Sequence, residues 1–268
     1  MNKPLIANEH IKQRLIDSIS IGRMHGEAYI KNTVTGETVF AKNKVIIEGS
    51  LFTACKLFGI EPTISLPSYN TELLLDNTVN IEHSTAEEVC LFAIGTGGCG
   101  QESSQKLPVD YSKWIDPGNL IPFRHVIPTK DLNPEQRNKY FGRRTLTDYI
   151  SYYFKTFDQL PKLILSYKDG TPVTEEVYNS SNSMDIDCYI QLRFSVTKEE
   201  AREIFKASGN LDQANISAIS LLHAWAYTNP SDGYVYYQDI KPLTVLNLNK
   251  EDMSDETKGL DITYNVYF

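Results

Sequence analysis

Six apolar residues, Ile186, Cys188, Ile190, Leu192, Phe194 and Val196, alternate without a break with Asp187, Tyr189, Gln191, Arg193 and Ser195. Successive side chains of a strand point to opposite faces, so this pattern is a strand over Ile186–Val196 with one buried and one wet face. The buried face needs a second apolar layer to cover it, which directs the chain toward packed sheets. The carboxyl end repeats the pattern: Leu260, Ile262, Tyr264, Val266 and Phe268 alternate with Asp261, Thr263, Asn265 and Tyr267. Aromatic runs such as Tyr152-Tyr153-Phe154 and Tyr234-Val235-Tyr236-Tyr237, in a chain with 16 Tyr and 11 Phe, strengthen the strand preference.

The other segments fit around these strands. Residues 8–20 read as a helix with Ile11, Leu15, Ile16 and Ile19 on one face, stopped at Gly22. This makes residues 1–22 an N-terminal helical arm whose thin apolar stripe docks on its own body or on a neighbour. Residues 27–31 and 38–42 form a hairpin around Asn32-Thr33-Val34-Thr35-Gly36. Residues 50–58 are mostly apolar and read as a short buried helix. Residues 61–88 and 101–134 carry prolines and no sustained period, so they read as long loops on either side of the apolar run 89–94. From Arg144 the chain reads as strands at 145–157, 161–167, 186–196, 215–227, 234–245 and 260–268, with 246–259 as a charged loop. Thr197-Lys198-Glu199-Glu200 is a capping box that opens a helix over 198–207. The expected fold is mainly β in an α+β mixture. It is a β-sandwich-like core with a few short helices and long loops, in one domain over 23–268.

Gly95, Gly97 and Gly100 spell G-x-G-x-x-G directly after the apolar run. Two readings compete, a phosphate cradle and a backbone exit from a core strand. A dinucleotide site needs a helix after the glycines and an acid about 20 residues on, ending a second strand. Here Gln101-Glu102-Ser103-Ser104-Gln105-Lys106-Leu107-Pro108 has no apolar face, and Asp116 lies in the turn-like Trp114-Ile115-Asp116-Pro117-Gly118. No Lys-Ser/Thr follows, so the P-loop pattern is also incomplete. Under the second reading the glycines allow positive φ or close backbone approach.

Other chemistry is sparse. His10, His25, His83, His125 and His223 are scattered without metal-ligand spacing, and no Gly-x-Ser-x-Gly occurs. Cys99, flanked by Gly98 and Gly100, reads as structural, the competing possibility being a thiolate with His83 or His125 as base. The acidic stretch 247–256 lacks the ligand series of an EF-hand. No catalytic residue, cofactor or metal is expected. Arg124, Arg137, Lys139, Arg143 and Arg144 form one basic cluster, a solvated face or a contact for an acidic partner surface. A net charge of -8 argues against broad binding of nucleic acid or anionic membrane. No apolar run reaches the roughly 20 residues of a membrane span, and Met1-Asn2-Lys3-Pro4 opens no signal peptide. The four cysteines, Cys55, Cys90, Cys99 and Cys188, are irregularly spaced, as in a chain made in a reducing cytosol.

The order of several segments resembles structural proteins of tailed bacteriophages. In that family an Asn-x-Val segment and short helix precede an Ile-Gly-Thr-Gly strand. An Ile-Asn-Glu-x-Gly-Leu strand, an aromatic strand ending in Pro-Ile/Leu and a closing Ile-x-Tyr-x-Ile-x-Phe strand follow. The matching residues are Lys44-Val45-Ile46-Ile47, Ala93-Ile94-Gly95-Thr96-Gly97, Asn215-Ile216-Ser217-Ala218-Ile219-Ser220-Leu221, Ile240-Lys241-Pro242-Leu243 and Ile262-Thr263-Tyr264-Asn265-Val266-Tyr267-Phe268. The chain departs from the pattern at Ser217-Ala218 and at Gly98-Cys99-Gly100. The resemblance implies a non-enzymatic virion component, assembled in the host cytoplasm with other virion structural proteins as a homo-oligomeric ring. The tail or baseplate is preferred over the neck or capsid exterior. Expected subunit contacts are Tyr111 and Trp114 in the second long loop, Arg143 and Arg144 in the basic cluster, and Ile11 and Leu15 on the arm. The alternatives are a receptor-binding or fibre-attachment module using Tyr-rich loops, and a nucleotide- or thiol-dependent enzyme centred on residues 95–100.

Overall fold

The computed structural model describes residues 25–45, 69, 73, 75, 87–99, 114–167, 186–208, 215–255 and 257–267. The arm at 1–22 and the helix expected at 50–58 lie outside them. Twelve strands are described: β1 (His25–Asn32), β2 (Thr38–Val45), β3 (Glu87–Gly95), β4 (Leu120–Ile121), β5 (Arg124–Val126), β6 (Tyr140–Thr145), β7 (Ile150–Thr156), β8 (Lys162–Tyr167), β9 (Ile186–Val196), β10 (Asn215–Thr228), β11 (Val235–Asp252) and β12 (Leu260–Tyr267). Two α-helices accompany them among the described residues, α1 (Pro134–Arg137) and α2 (Lys198–Ser208).

Every strand pair is antiparallel, and hydrogen bonding follows one path, β5-β7-β3-β10-β11-β2-β1-β12-β9-β8, with β4 against β3 and β6 against β7. The path folds back on itself as two packed layers. They are joined where β11 meets β2, at Thr244 opposite Val45 and Val245 opposite Lys44. Phe92 of β3 meets Phe194 of β9 with ring centroids 4.3 Å apart, which closes one layer over the other. This is the expected β-sandwich-like core. The alternation over β9 places Leu192, Phe194 and Val196 in that core, while Arg193 is exposed. On β12, Leu260, Ile262, Tyr264 and Val266 point the same way. The β1–β2 turn is held by Asn32, whose Oδ1 accepts from the amides of Val34 at 2.9 Å and Thr35 at 3.2 Å.

Three sequence expectations need correction. Residues 246–252 are not loop but the second half of β11, paired along Ile216 and Ala218–Ile219 of β10, with Leu246 and Leu248 buried. Two inward leucines between Asn247, Asn249 and a run of charges make a weak alternation, which the neighbouring strand completes. The described part of 101–134 is not irregular. It holds β4, β5 and short 3-10 turns at Pro117–Asn119 and Pro128–Lys130. Strand structure also begins at Tyr140, ahead of Arg144, because β6 forms a hairpin with β7.

These short pieces matter because β3 is buried on both faces. Phe92 and Ile94 enter the sandwich core. Leu91 and Ala93 enter a second core with Tyr69, Ile115, Leu120, Phe154 and Leu222. Cys90 is an extra residue in the ladder, since Leu222 pairs with Leu91 and His223 with Val89; this bulge turns it to the second core as well. Tyr69 anchors the 114–120 segment, donating its hydroxyl to the Ile115 carbonyl at 2.8 Å and packing at a tilt against Trp114 with ring centroids 4.4 Å apart. Among the described residues, no helix is long and apolar enough to cross a membrane.

Candidate functional site

The β6 strand runs beside the first residues of β11, and a cleft of about 270 Å³ opens between them. Its aromatic walls are Tyr140, Phe141, Tyr152, Tyr234, Tyr236 and Tyr237, and its charged groups are Asp131, Arg137 and Arg143. The turn at 229–233 sets one wall. Asn229 Oδ1 accepts from the Ser231 amide at 2.9 Å, Asp232 Oδ1 from the Tyr234 amide at 2.9 Å, and Asp232 Oδ2 from the Tyr236 hydroxyl at 2.8 Å. The opposite rim is set by α1. Asn133 and Gln136 exchange side-chain bonds to each other's amides at 2.9 and 3.2 Å, and Pro134 suits the first helical position. That single turn presents Arg137, whose guanidinium lies 5.4 Å from the Tyr234 ring centre.

Two further rings are fixed by their hydroxyls. Tyr152 donates to Asp131 Oδ1 at 2.6 Å, and Tyr140 to Glu200 Oε1 at 2.5 Å. Burial pushes both phenols above their ordinary range, and the partner carboxylates push further the same way. Burial works to raise Asp131. The Tyr152 hydroxyl, the Leu132 amide and the charges of Arg143 and Arg137 outweigh it and hold the carboxyl below its usual value. Three of the tyrosines that line the cleft, Tyr140, Tyr152 and Tyr236, therefore have bonded hydroxyls, beside two guanidinium groups and a carboxylate already bonded. Arg124 and Lys139 stand 5.7 and 5.8 Å from the Tyr140 ring, so two further members of the basic cluster lie against one of the cleft's rings.

Behind Tyr140 lies a buried ionic network. Lys155 of β7 has no exposed side-chain surface; its Nζ lies 3.0 Å from Glu200 Oε1 and donates to the Ser195 carbonyl at 2.5 Å. Glu200 is also the third residue of α2, where its Oε2 accepts from the Thr197 amide at 2.7 Å. The expected capping box is present, and its carboxylate ties α2 to β7 and β6 at once. Burial lowers the Lys155 pKa, with Glu200 opposing.

Two histidines are built into the sheet. His223 on β10 is buried with Nδ1 2.8 Å from Glu87 Oε1, and Lys241 stands 3.8 Å from the same oxygen. His125 Nδ1 is 3.2 Å from Ser151 Oγ, but that serine is fully buried, which suits a structural bond and not a nucleophile. Burial lowers both histidine pKa values, against upward pulls from Glu87 on His223 and Glu203 on His125. Between the folded values and the unfolded 6.5, the unfolded chain binds more protons. Their contribution to stability is then full above 6.5 and lost as pH falls through the folded values. Thermal melting at about pH 5.5 is expected below that at about pH 7.5, and His125→Gln is expected to narrow the difference. An unchanged difference would remove His125 from the account.

The glycine loop is occupied by protein. The Thr96 amide donates to the Asn119 carbonyl at 2.8 Å and the Gly98 amide to Ser217 Oγ at 3.0 Å. A Cβ at Gly98 would stand 1.7 Å from the Ser217 carbonyl oxygen, and one at Gly95 2.7 Å from the Asn119 oxygen. The glycines serve close approach of three backbone segments, and two of the amides a phosphate would need are taken. Cys90 and Cys99 are buried free thiols, and burial raises Cys90 well above the usual thiol range. Among the described residues no group of three or more His, Cys, Asp or Glu could hold a metal ion.

Of the expected contact residues, Arg143 lines the cleft, Arg144 lies opposite Ser151 in the β6–β7 ladder, and half-buried Trp114 packs on Tyr69 at the second core. Tyr111, Ile11 and Leu15 lie outside the described residues. Tyr152 and the tyrosines at 234–237 stand in aromatic runs of the sequence, Tyr140 carries no such signal, and nothing local links 140–152 to 234–237. No protein-family model, no curated protein and no solved structure matches this chain.

Proposed function

We propose that this chain is a non-enzymatic structural component of a tailed-bacteriophage virion, in the tail or baseplate, acting through contacts with copies of itself and with other virion proteins. One observation carries the reading: the segments that bear the resemblance are neighbours in space. Ile94 and Gly95 pair with Ile219 and Ala218, the Pro242–Val245 part of β11 pairs with both β10 and β2, and the closing strand pairs with β1. Widely separated motifs thus form a single stretch of the path, β3-β10-β11-β2-β1-β12. The bonded Gly98 amide and the buried Cys99 thiol weigh against the enzyme alternative centred on residues 95–100.

Mass spectrometry of gradient-purified particles from a host producing this chain is the direct test. The expected result is a stoichiometric virion band of 30.4 kDa, with native mass spectrometry of the purified chain giving a closed multimer. Its absence from intact particles, with the chain recovered only from the soluble lysate, would overturn the reading.

A further inference from the structure

We infer that the cleft between β6 and β11 binds a carboxylate-bearing sugar residue, such as a uronate or sialate. This goes beyond assembly and does not rest on the virion reading. Three features support it. The cleft, about 270 Å³, is of the scale for one sugar ring and its substituents rather than a macromolecular face. Its rings are held in place: Tyr152 on Asp131 at 2.6 Å, Tyr236 on Asp232 at 2.8 Å and Tyr140 on Glu200 at 2.5 Å. A ligand meeting them orders little that is not ordered already, and a flat apolar sugar face suits such amphipathic walls. Charge supplies the third feature. Arg137 and Arg143 line the cleft with one carboxylate, Asp131, which already accepts from Tyr152 and from the Leu132 amide at 2.7 Å. Asp232, at the rim, accepts from the Tyr236 hydroxyl, and Arg143 bonds the Tyr152 hydroxyl. Arg137 Nε donates to the Leu132 carbonyl at 3.3 Å, so a carboxylate would meet the two terminal nitrogens of Arg137. In a chain of net charge -8 these paired guanidinium groups, facing carboxylates that are already bonded, suit an anion, and a guanidinium offers a carboxylate two parallel donors.

The wall formed by β6 disfavours an acidic peptide. An extended peptide would use the outer edge of that strand, and Gly142, at φ +69°, breaks its extended run. A Cβ there would stand 2.2 Å from the buried Phe154 ring, so the kink is fixed by glycine.

The full chain is titrated with D-glucuronate, N-acetylneuraminate and D-glucose, read by saturation-transfer NMR and tyrosine fluorescence. At least one acidic sugar is expected to bind with about millimolar affinity, roughly tenfold or more above glucose. Arg137→Ala and Tyr234→Ala, at an exposed and a half-buried position, are each expected to weaken it about tenfold while the folded state is retained by circular dichroism, with only a small fall in melting temperature from the lost 3.3 Å bond of Arg137 Nε to the Leu132 carbonyl and its contact with the Tyr234 ring. Failure of both acids to bind, equal binding of glucose, or binding that survives both substitutions would overturn the assignment. Tighter binding of a glutamate-rich peptide that displaces the sugar would overturn it in favour of a protein partner.

Discussion

Glu200→Ala is expected to destabilise the fold by about 3–5 kcal/mol, one of the largest effects of any single side chain here. Three groups lose their partner together. Lys155, with no exposed surface, keeps the Ser195 carbonyl at 2.5 Å and the more distant Asp158 carboxylate at 3.8 Å but loses the buried carboxylate at 3.0 Å. The Tyr140 hydroxyl and the Thr197 amide lose their acceptor. An intact buried pair contributes little net stability, since desolvation offsets attraction; a broken one leaves a buried charge. The double variant Lys155→Met, Glu200→Leu should therefore recover much of the loss.

The pH dependence gives an independent check. Burial already lowers Lys155 below its unfolded 10.5, and Glu200 is the main upward pull. Without Glu200 the folded value falls further. The unfolded chain then binds the extra proton over a wider range, and stability rises with pH across it. Urea unfolding at about pH 7 and about pH 9.5 should show the Glu200→Ala deficit shrinking at the higher pH. A deficit under about 1 kcal/mol, or one that grows with pH, would remove Lys155 from the explanation.

The physical reason some of this was legible and some was not lies in where the second partner of each residue sits. The alternation over Ile186–Val196 was readable because one face of β9 meets water, and polarity along the chain records that directly. The run Val89–Ile94 was readable as a core strand, but the existence of two cores was not. An unbroken apolar run says that both faces are covered without saying by what; Tyr69 and Ile115 lie far off in sequence. Glu200 was readable as a helix cap because its cap partner is three residues away. Its hold on Lys155, 45 residues distant, leaves no local trace. The cleft behaves in the same way. A basic cluster at 137–144 and a tyrosine run at 234–237 were each visible, and only the meeting of β6 with β11 makes a site of them.

Gly98→Ala is expected to cost about 3 kcal/mol or more, from a single added methyl group. The new Cβ would stand 1.7 Å from the Ser217 carbonyl oxygen and 2.6 Å from its carbon. Both are backbone atoms of β10, so no rotamer relieves the clash, and the loop must part from the strand. Parting also removes the 3.0 Å bond from the Gly98 amide to Ser217 Oγ, a further loss of about 1 kcal/mol. Gly97→Ala makes the informative comparison. Gly97 has φ +89°, and a Cβ there meets the Asn119 side-chain nitrogen at 2.9 Å, a group on an exposed residue that can turn aside. Its cost should be about 1–2 kcal/mol, the usual penalty of a left-handed backbone for an L-residue. A phosphate-binding loop predicts a different order. There the second glycine of the fingerprint, Gly97, lets the pyrophosphate approach the backbone, so its substitution abolishes nucleotide binding while stability changes little. Chemical unfolding of the two variants, beside equilibrium dialysis against NAD and ATP, separates the cases. Gly98→Ala well below Gly97→Ala in stability, with no nucleotide retained by the parent chain, is the expected result. Nucleotide binding by the parent chain that Gly97→Ala abolishes would return residues 95–100 to catalysis or cofactor binding.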